Sequence, residues 1–98
     1  MKLVTVVTQQ DDAAQLTEAL RQADYRSTRV DTAGGFLRRG NATLFIGVEA
    51  EHVDDVVRIV EETCHSRTVA VAPERSGRDV RTAAATIFVL NVARFERL

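Results

Sequence analysis

The chain has 98 residues, of which 45% are apolar and 28% are charged, and its formal net charge is −1. This length predicts one domain, residues 1–98, and the composition is typical of a soluble globular protein. A net charge so close to zero gives no general attraction to nucleic-acid polymers or to membranes, so neither is expected as a partner.

The first predicted elements are a strand and a helix. Residues 3–7 are a short apolar run rich in Val and Thr, which is typical of a buried strand. The helix is indicated by Leu16 and Leu20, which recur at helical spacing together with alanines. Asp11 or Asp12 is expected to cap this helix, because a carboxylate can accept hydrogen bonds from the free N–H groups of the first turn.

Two further strands are predicted on either side of a glycine-rich loop. Residues 25–31 alternate as a polar strand, which is typical of a sheet edge or of a cleft, and the alternation places Arg26 and Thr28 on one face. Residues 43–48 predict a third strand with an apolar face. Gly47 lies on its opposite face, where the missing side chain leaves space for a ligand or for a close backbone.

The second half of the chain predicts one helix and two strands. The helix is expected to start near Ala50, because valines follow at helical spacing and acidic residues crowd its beginning, where the helix dipole favours negative charge. Residues 67–72 predict a fourth strand and residues 83–92 a final one. Between them, residues 73–79 combine proline, glycine and charged side chains and are the most linker-like segment.

The predicted order is therefore β-α-β-β-α-β-β. The first six elements match a ferredoxin-like α+β fold, to which the last strand is added. Two helices can cover only one face of such a sheet, although the other face also carries apolar side chains. An oligomer is the simplest way to cover that second face, and ligands could then bind in clefts between subunits.

No motif for catalysis or for metal binding is present in the sequence. Cys64 and His65 are adjacent, so on a helix they would point in different directions, whereas a nucleophile and its base must touch. The two histidines and one cysteine are too few for a metal site within one subunit. A single cysteine also excludes an internal disulfide, and the strand-like start leaves no room for a signal peptide, so a cytoplasmic location is expected.

The loop at residues 34–41 is the strongest candidate for a binding site. Its glycines and Asn41 are compatible with an ordinary hairpin connection. Such a connection does not account for Phe36 and Leu37, an exposed apolar pair, or for Arg38 and the arginine after it. An apolar pair beside two cations is typical of a surface that contacts a flat and negatively charged ligand, such as a nucleotide.

Taken in order, these residues resemble a known family. RST at residues 26–28 and TAGGFLRRGNATLFIGV at residues 32–48, with ATIFVL at residues 85–90, are similar to the PII-like cyclic di-AMP receptor proteins. The resemblance extends over most of the chain. It implies a ferredoxin-like homotrimer that binds cyclic di-AMP in clefts between subunits and acts as a signalling receptor, without enzymatic turnover and without a cofactor.

The resemblance also implies which residues contact the ligand. The expected contacts are Arg26, Thr28, Gly35, Phe36, Leu37, Asn41 and Gly47, with Phe88 supplied by the neighbouring subunit. Additional candidates are Gly34, Arg38 and Arg97. Ligand binding is expected to order the loops at residues 33–41 and 73–82, and thereby to change a surface seen by a downstream protein.

Three positions depart from the family pattern. The segment after Ala72 is shorter than the family's loop, Ala83 and Ala84 replace a glycine pair, and Arg97 replaces an amide side chain. Two alternatives therefore stay open beside cyclic di-AMP. One is a related module for another adenine nucleotide, ATP or ADP, and the other is a trimer for protein interaction that binds no ligand.

Overall fold

The computed structural model describes residues 1–31, 40–64, 67–70, 79–82 and 85–98. It contains two α-helices, α1 (Gln10–Gln22) and α2 (Val53–Thr63), and a 3₁₀ turn at Ala50–His52 leads into the second. Its strands are β1 (Lys2–Gln9), β2 (Thr28–Asp31), β3 (Asn41–Val48), β4 (Arg67–Ala70), β5 (Asp79–Thr82) and β6 (Ala85–Asn91).

The main sheet has four antiparallel strands in the order β2-β3-β1-β6. Strand β1 is central and pairs with β3 along one edge and with β6 along the other. Strands β4 and β5 pair with each other in a separate two-stranded sheet. The result is a small α+β domain whose main sheet is compatible with a ferredoxin-like fold.

The last strand, rather than the predicted fourth one, completes the main sheet. A ferredoxin-like sheet built from the first six predicted elements would place the strand at residues 67–72 beside β1, but β6 occupies that place and β4 pairs with β5 instead. The physical reason is length and pattern, because β6 matches seven residues of the central strand and sends Ile87 towards the core, whereas β4 has only four residues. Residue 79, the last of the linker-like segment predicted at residues 73–79, is paired in β5, and residues 73–78 lie outside the described residues.

The core lies between the main sheet and the two helices. Alternate residues of the central strands, such as Val4 and Leu44, are fully buried against Leu16 and Leu20 of α1 and Val56 of α2. Burial of apolar surface contributes about 25 cal/mol per Å², so the burial of this layer provides most of the free energy that favours folding. Both helices therefore cover the same face of the sheet, as expected for the ferredoxin-like order of elements.

The predicted start of α1 needs a correction. The helix begins at Gln10 with Gln9 as its N-cap residue, and that residue's side chain makes no capping hydrogen bond. Asp11 and Asp12 lie inside the first turn, where their negative charge still favours the helix dipole. The strand β1 runs longer than predicted, to Gln9, and this leaves no position for an aspartate cap.

The C-terminal end of α1 is a Schellman motif with an unusual residue in the left-handed position. The Tyr25 N–H donates to the Leu20 carbonyl at 2.8 Å and the Asp24 N–H donates to the Arg21 carbonyl at 3.0 Å. Asp24 has a φ of 66°, a conformation that glycine adopts freely and other L-residues adopt at a cost. This turn sets the direction in which the chain leaves the helix.

Replacing Asp24 by glycine is expected to stabilise the protein by about 0.5–1 kcal/mol, because it relieves the left-handed backbone without breaking the motif. Ala23→Gly is the matched control, since Ala23 has a φ of −92° and gains nothing from glycine. Denaturant titration of the two variants checks the prediction. A midpoint for Asp24→Gly at or below that of the wild type would contradict it.

Candidate functional site

Within the described residues, no helix covers one face of the main sheet. We call it the helix-free face, and it consists of the residues that alternate with the core positions. Its members across the four strands are Leu3, Thr5, Val7, Thr28, Val30, Asn41, Thr43, Phe45, Gly47, Thr86, Phe88 and Leu90. Four positions that the sequence proposed as ligand contacts therefore lie on this one surface: Thr28, Asn41, Gly47 and Phe88.

The helix-free face is strongly apolar and incompletely covered. Phe88 is 52% exposed, Leu90 51%, Val30 43% and Phe45 36%. Thr5 and Thr43 add two hydroxyl groups that are shielded from water and that have no hydrogen-bond partner within the described part of the chain. A large apolar surface with unsatisfied hydroxyls is typical of a contact surface for another molecule.

The register shows how far apart the predicted residues lie in one chain. Thr28, Phe45, Thr5 and Phe88 form one row across the four strands, so Thr28 and Phe88 are separated by three strand spacings, about 14 Å. Thr28 and Gly47 are diagonal neighbours, because Gly47 lies two residues beyond the partner of Thr28. One chain thus brings Thr28 and Gly47 together and leaves Phe88 at the opposite edge.

Asn41 and Gly47 mark the two ends of β3. They are six residues apart, which corresponds to about 20 Å along a strand. Asn41 pairs with Gln9 and follows Gly40, whose φ of 86° is suited to glycine and whose carbonyl accepts a 2.8 Å hydrogen bond from the Gln10 N–H. This bond ties the exit of the glycine-rich loop to the start of α1 and so positions Asn41.

Gly47 leaves open space rather than a close backbone. Among the described residues, a methyl group built at this position would meet only the Met1 Cε atom, at 4.0 Å, which is an ordinary contact. The sequence suggested that this glycine leaves space either for a ligand or for a close backbone. In the part of the chain that the structure describes, no backbone lies close to it. The space in front of Gly47 remains available on the helix-free face.

Arg26 lies in the connection between α1 and β2 and not in the strand itself. The second strand was predicted to start at residue 25, but it begins at Thr28, so alternation does not assign Arg26 to the face of Thr28. Arg26 is exposed and lines a surface pocket of about 450 Å³ beside the end of α1, with Thr17, Arg21, Asp24, Tyr25 and Ser27. The strand is shorter because the Schellman motif turns the chain at Asp24.

The remaining predicted contacts divide into two groups. Gly34, Gly35, Phe36, Leu37 and Arg38 lie outside the described residues. Arg97 is exposed in the C-terminal tail after β6, where its guanidinium carbon is 5.9 Å from the centre of the Phe95 ring. That distance is compatible with a weak cation–π contact between the two side chains.

A hydrogen-bond network that no sequence motif revealed lies next to Arg26. The Tyr25 hydroxyl donates to Asp55 Oδ2 at 2.6 Å, and Arg58 donates to Asp55 Oδ1 at 2.5 Å and to Glu62 at 3.0 Å. The Tyr25 hydroxyl and the Arg58 guanidinium lower the pKa of Asp55, and the Asp55 carboxylate raises the pKa of Tyr25. Thirty residues separate Tyr25 from Asp55, so periodicity could not have paired them.

The groups considered for catalysis are not arranged for it in the described part of the chain. Cys64 is buried, accepts a 3.5 Å hydrogen bond from the Thr8 hydroxyl, and has a pKa raised by burial, which keeps the thiol protonated. Its sequence neighbour His65 is outside the described residues. Among those described, no group of three metal-ligating side chains converges, and no helix is long and apolar enough to cross a membrane.

The fold and the helix-free face together define a small α+β protein that is built for binding. A solved structure similar to this chain is that of a functionally unknown protein from Pediococcus pentosaceus ATCC 25745. The two are 37% identical with a TM-score of 0.75, and the match covers 99% of this chain and 96% of that one.

The chain belongs to the cyclic-di-AMP receptor family, whose model matches residues 1–98. The resemblance inferred from the glycine-rich loop and its neighbouring strands is thereby confirmed. The family consists of receptors and not of enzymes, which also confirms the prediction that the chain is not an enzyme. Its ligand is cyclic di-AMP.

Proposed function

We propose that residues 1–98 form one domain of a cytoplasmic homotrimeric receptor of the PII-like type, which binds cyclic di-AMP in clefts between subunits. The spread of the candidate contacts along the helix-free face carries this proposal. Asn41 and Gly47 are about 20 Å apart along β3, and Phe88 is about 14 Å from Thr28 across the sheet. Such a spread suits a ligand with two bases and a second subunit better than a mononucleotide on one chain.

The dimensions of the main sheet support three copies. Four strands spaced about 4.8 Å apart form a sheet about 19 Å wide. Three such sheets placed as the sides of a triangle stand about 5.5 Å from the central axis. Sheets that pack face to face are about 10 Å apart, so each contributes about 5 Å of side chain. A triangular trimer would therefore bury the helix-free face without leaving an open channel.

The same triangle supports a contribution of Phe88 from the neighbouring subunit. A ring of identical copies joins unlike edges, so the β6 edge of one subunit would lie beside the β2 edge of the next. Phe88 and Thr28 occupy the same row of the sheet at those two edges. The ring would thus bring the Phe88 ring close to the Thr28 hydroxyl across the boundary, where it can pack against an adenine.

The ligand site would combine residues that the structure describes with residues of the glycine-rich loop. Arg26 lies two residues before Thr28, and Gly47 lies two residues beyond the partner of Thr28 on β3. Both are therefore near the same end of the β2 edge, where the missing side chain of Gly47 leaves room for a base. Arg26 would contact a phosphate or a base edge, and Thr28 and Asn41 would hydrogen-bond adenine edges. We assign the backbone N–H groups around Gly35, Phe36 and Leu37 to phosphate, with Gly34, Arg38 and Arg97 as further contacts.

Ligand binding would be transmitted through the two loops beside the cleft. The loop at residues 33–41 would become ordered around the phosphates and bases. In the segment at residues 73–82, residues 79–82 are already paired in β5, so ordering would concern the part before Asp79. The changed surface would be read by a downstream protein. Calorimetric titration with cyclic di-AMP, ranked against ATP and ADP, tests the ligand, and light scattering tests the trimer.

Replacing Arg26 or Asn41 by alanine is expected to weaken cyclic di-AMP binding at least about tenfold, because each removes hydrogen bonds to the ligand. The ligand-free melting temperature should hardly change, since substitutions away from the core usually alter stability by about 0.5 kcal/mol or less. Arg29→Ala is the matched control, because Arg29 lies on the other side of β2 and pairs with Asp31 at 2.7 Å. Equal affinity for wild type and Arg26→Ala would remove Arg26 from the site.

A further inference from the structure

The connection between α1 and β2 is held by two backbone hydrogen bonds and one side-chain hydrogen bond. Its backbone is fixed to the end of α1 by the bonds from Tyr25 to Leu20 and from Asp24 to Arg21. Its Tyr25 side chain is fixed to α2 by the 2.6 Å hydrogen bond from the Tyr25 hydroxyl to Asp55. The residue immediately after these contacts is Arg26, which lines the same pocket as Tyr25.

Asp55 is itself oriented by a neighbour on α2. The Arg58 guanidinium donates to the carboxylate oxygen that Tyr25 does not use, at 2.5 Å, and also donates to Glu62 one turn further along the helix. Both donors stabilise the ionised form and lower the pKa of Asp55. The carboxylate therefore stays charged at neutral pH and accepts from Tyr25 in a fixed geometry.

Packing alone explains the ring of Tyr25 but not its hydroxyl group. The ring lies against the hydrophobic core, and a phenylalanine would fill that space equally well. Exposed ion pairs such as the one between Arg58 and Asp55 contribute little to stability by themselves. What the hydroxyl adds is a defined position for the connection relative to α2, since a directional bond restricts both partners.

We propose that Tyr25 and Asp55 are positioning residues for the ligand site, because their hydrogen bond holds the α1–β2 connection, and with it Arg26, against α2. The inference rests on the proposed function through the role of Arg26. Neither residue touches the ligand. Both act by limiting the positions that the Arg26 backbone can take, so that less ordering is needed when cyclic di-AMP binds.

The test compares variants that lose or keep this hydrogen bond. Tyr25→Phe and Asp55→Ala each remove it, and each is expected to raise the Kd for cyclic di-AMP about three- to tenfold. Tyr25→Phe also loses the 3.4 Å contact of the hydroxyl with His52 Nδ1, and Asp55→Ala also loses the ion pair with Arg58. Asp55→Asn keeps an oxygen acceptor for the Tyr25 hydroxyl and should retain most of the affinity. Glu62→Ala is the control, since it cuts the network one bond further away. The double variant Tyr25→Phe/Asp55→Ala should bind cyclic di-AMP no more weakly than either single variant, because both changes remove the same hydrogen bond.

Hydrogen exchange of the ligand-free protein gives an independent readout. Tyr25→Phe is expected to speed amide exchange at residues 24 and 25, whose N–H groups donate to the carbonyls of Arg21 and Leu20, while Glu62→Ala leaves it unchanged. Unchanged exchange in Tyr25→Phe overturns the inference whether or not the wild type binds cyclic di-AMP. If the wild type binds and Tyr25→Phe binds equally well, only the positioning role fails. If the wild type shows no binding, the proposed function fails and the exchange data still decide the role of the hydrogen bond.

Discussion

Replacing Val56 by aspartate is expected to unfold the protein. Val56 is 0% exposed and lies on the buried stripe of α2, against the core between the helices and the sheet. A carboxylate there would have to lose its hydration without gaining a cationic partner, or bind a proton at a large cost. A penalty of several kcal/mol is comparable with the entire stability of a small domain, about 5–15 kcal/mol. Far-UV circular dichroism and thermal melting measure the outcome.

Two companion variants separate the effect of charge from the effect of volume. Val56→Ala leaves a small cavity and is expected to cost roughly 2 kcal/mol while the protein still melts cooperatively. Ala14→Asp adds the same charge at an exposed position of α1 and should melt close to the wild type. A cooperative melt of Val56→Asp within a few degrees of the wild type would show that α2 does not pack on the sheet through this stripe.

The elements that the sequence predicted well are those whose pattern is decided by burial. The helix α2 was predicted from valines at helical spacing, and Val56 and Val60 are indeed buried together with Ile59. Strand β3 was predicted from residues that alternate between the core and the opposite face, and both faces are as expected. In each case the apolar residues recur with the period of the element, so they share one face. Burial of that face in the core then fixes how the element lies.

Pairing choices between strands could not be predicted from such patterns. Both β4 and β6 were identified as strands, yet only the register with β1 decides which of them joins the main sheet. The start of β2 was misjudged for a similar reason, because the chain turns at Asp24 through a left-handed backbone conformation that is uncommon for residues other than glycine. Partners distant in sequence, and turns made by unusual residues, leave no periodic signal.

The candidate site shows the same difference between local patterns, which the sequence reveals, and contacts between distant residues, which it does not. The sequence placed Thr28, Gly47 and Phe88 on β-strands, and the register now puts all three on the helix-free face. It did not indicate that Tyr25 reaches Asp55, because that contact depends on how α1 and α2 lie on the sheet. A motif of local residues can be recognised in one dimension, whereas a network between two elements requires the packed structure.

Replacing Phe45 by aspartate is expected to leave the domain folded but to separate the proposed trimer into monomers. Phe45 is 36% exposed on the central strand β3, in the same row as Thr28 and Thr5. In a single copy the new carboxylate can face water. In the proposed triangle it would be buried near two like charges from the other copies, which costs several kcal/mol at each contact.

Loss of the trimer should also abolish the ligand site, because the proposed cleft needs Phe88 from the neighbouring subunit. Affinity for cyclic di-AMP is expected to fall about a hundredfold or more, as a loss of roughly 3 kcal/mol implies. Light scattering and calorimetry on the same sample measure both effects, and Ala14→Asp again controls for added charge. A Phe45→Asp protein that remains trimeric would show that copies do not meet through the helix-free face. A monomer that keeps full affinity would place the whole ligand site within one chain.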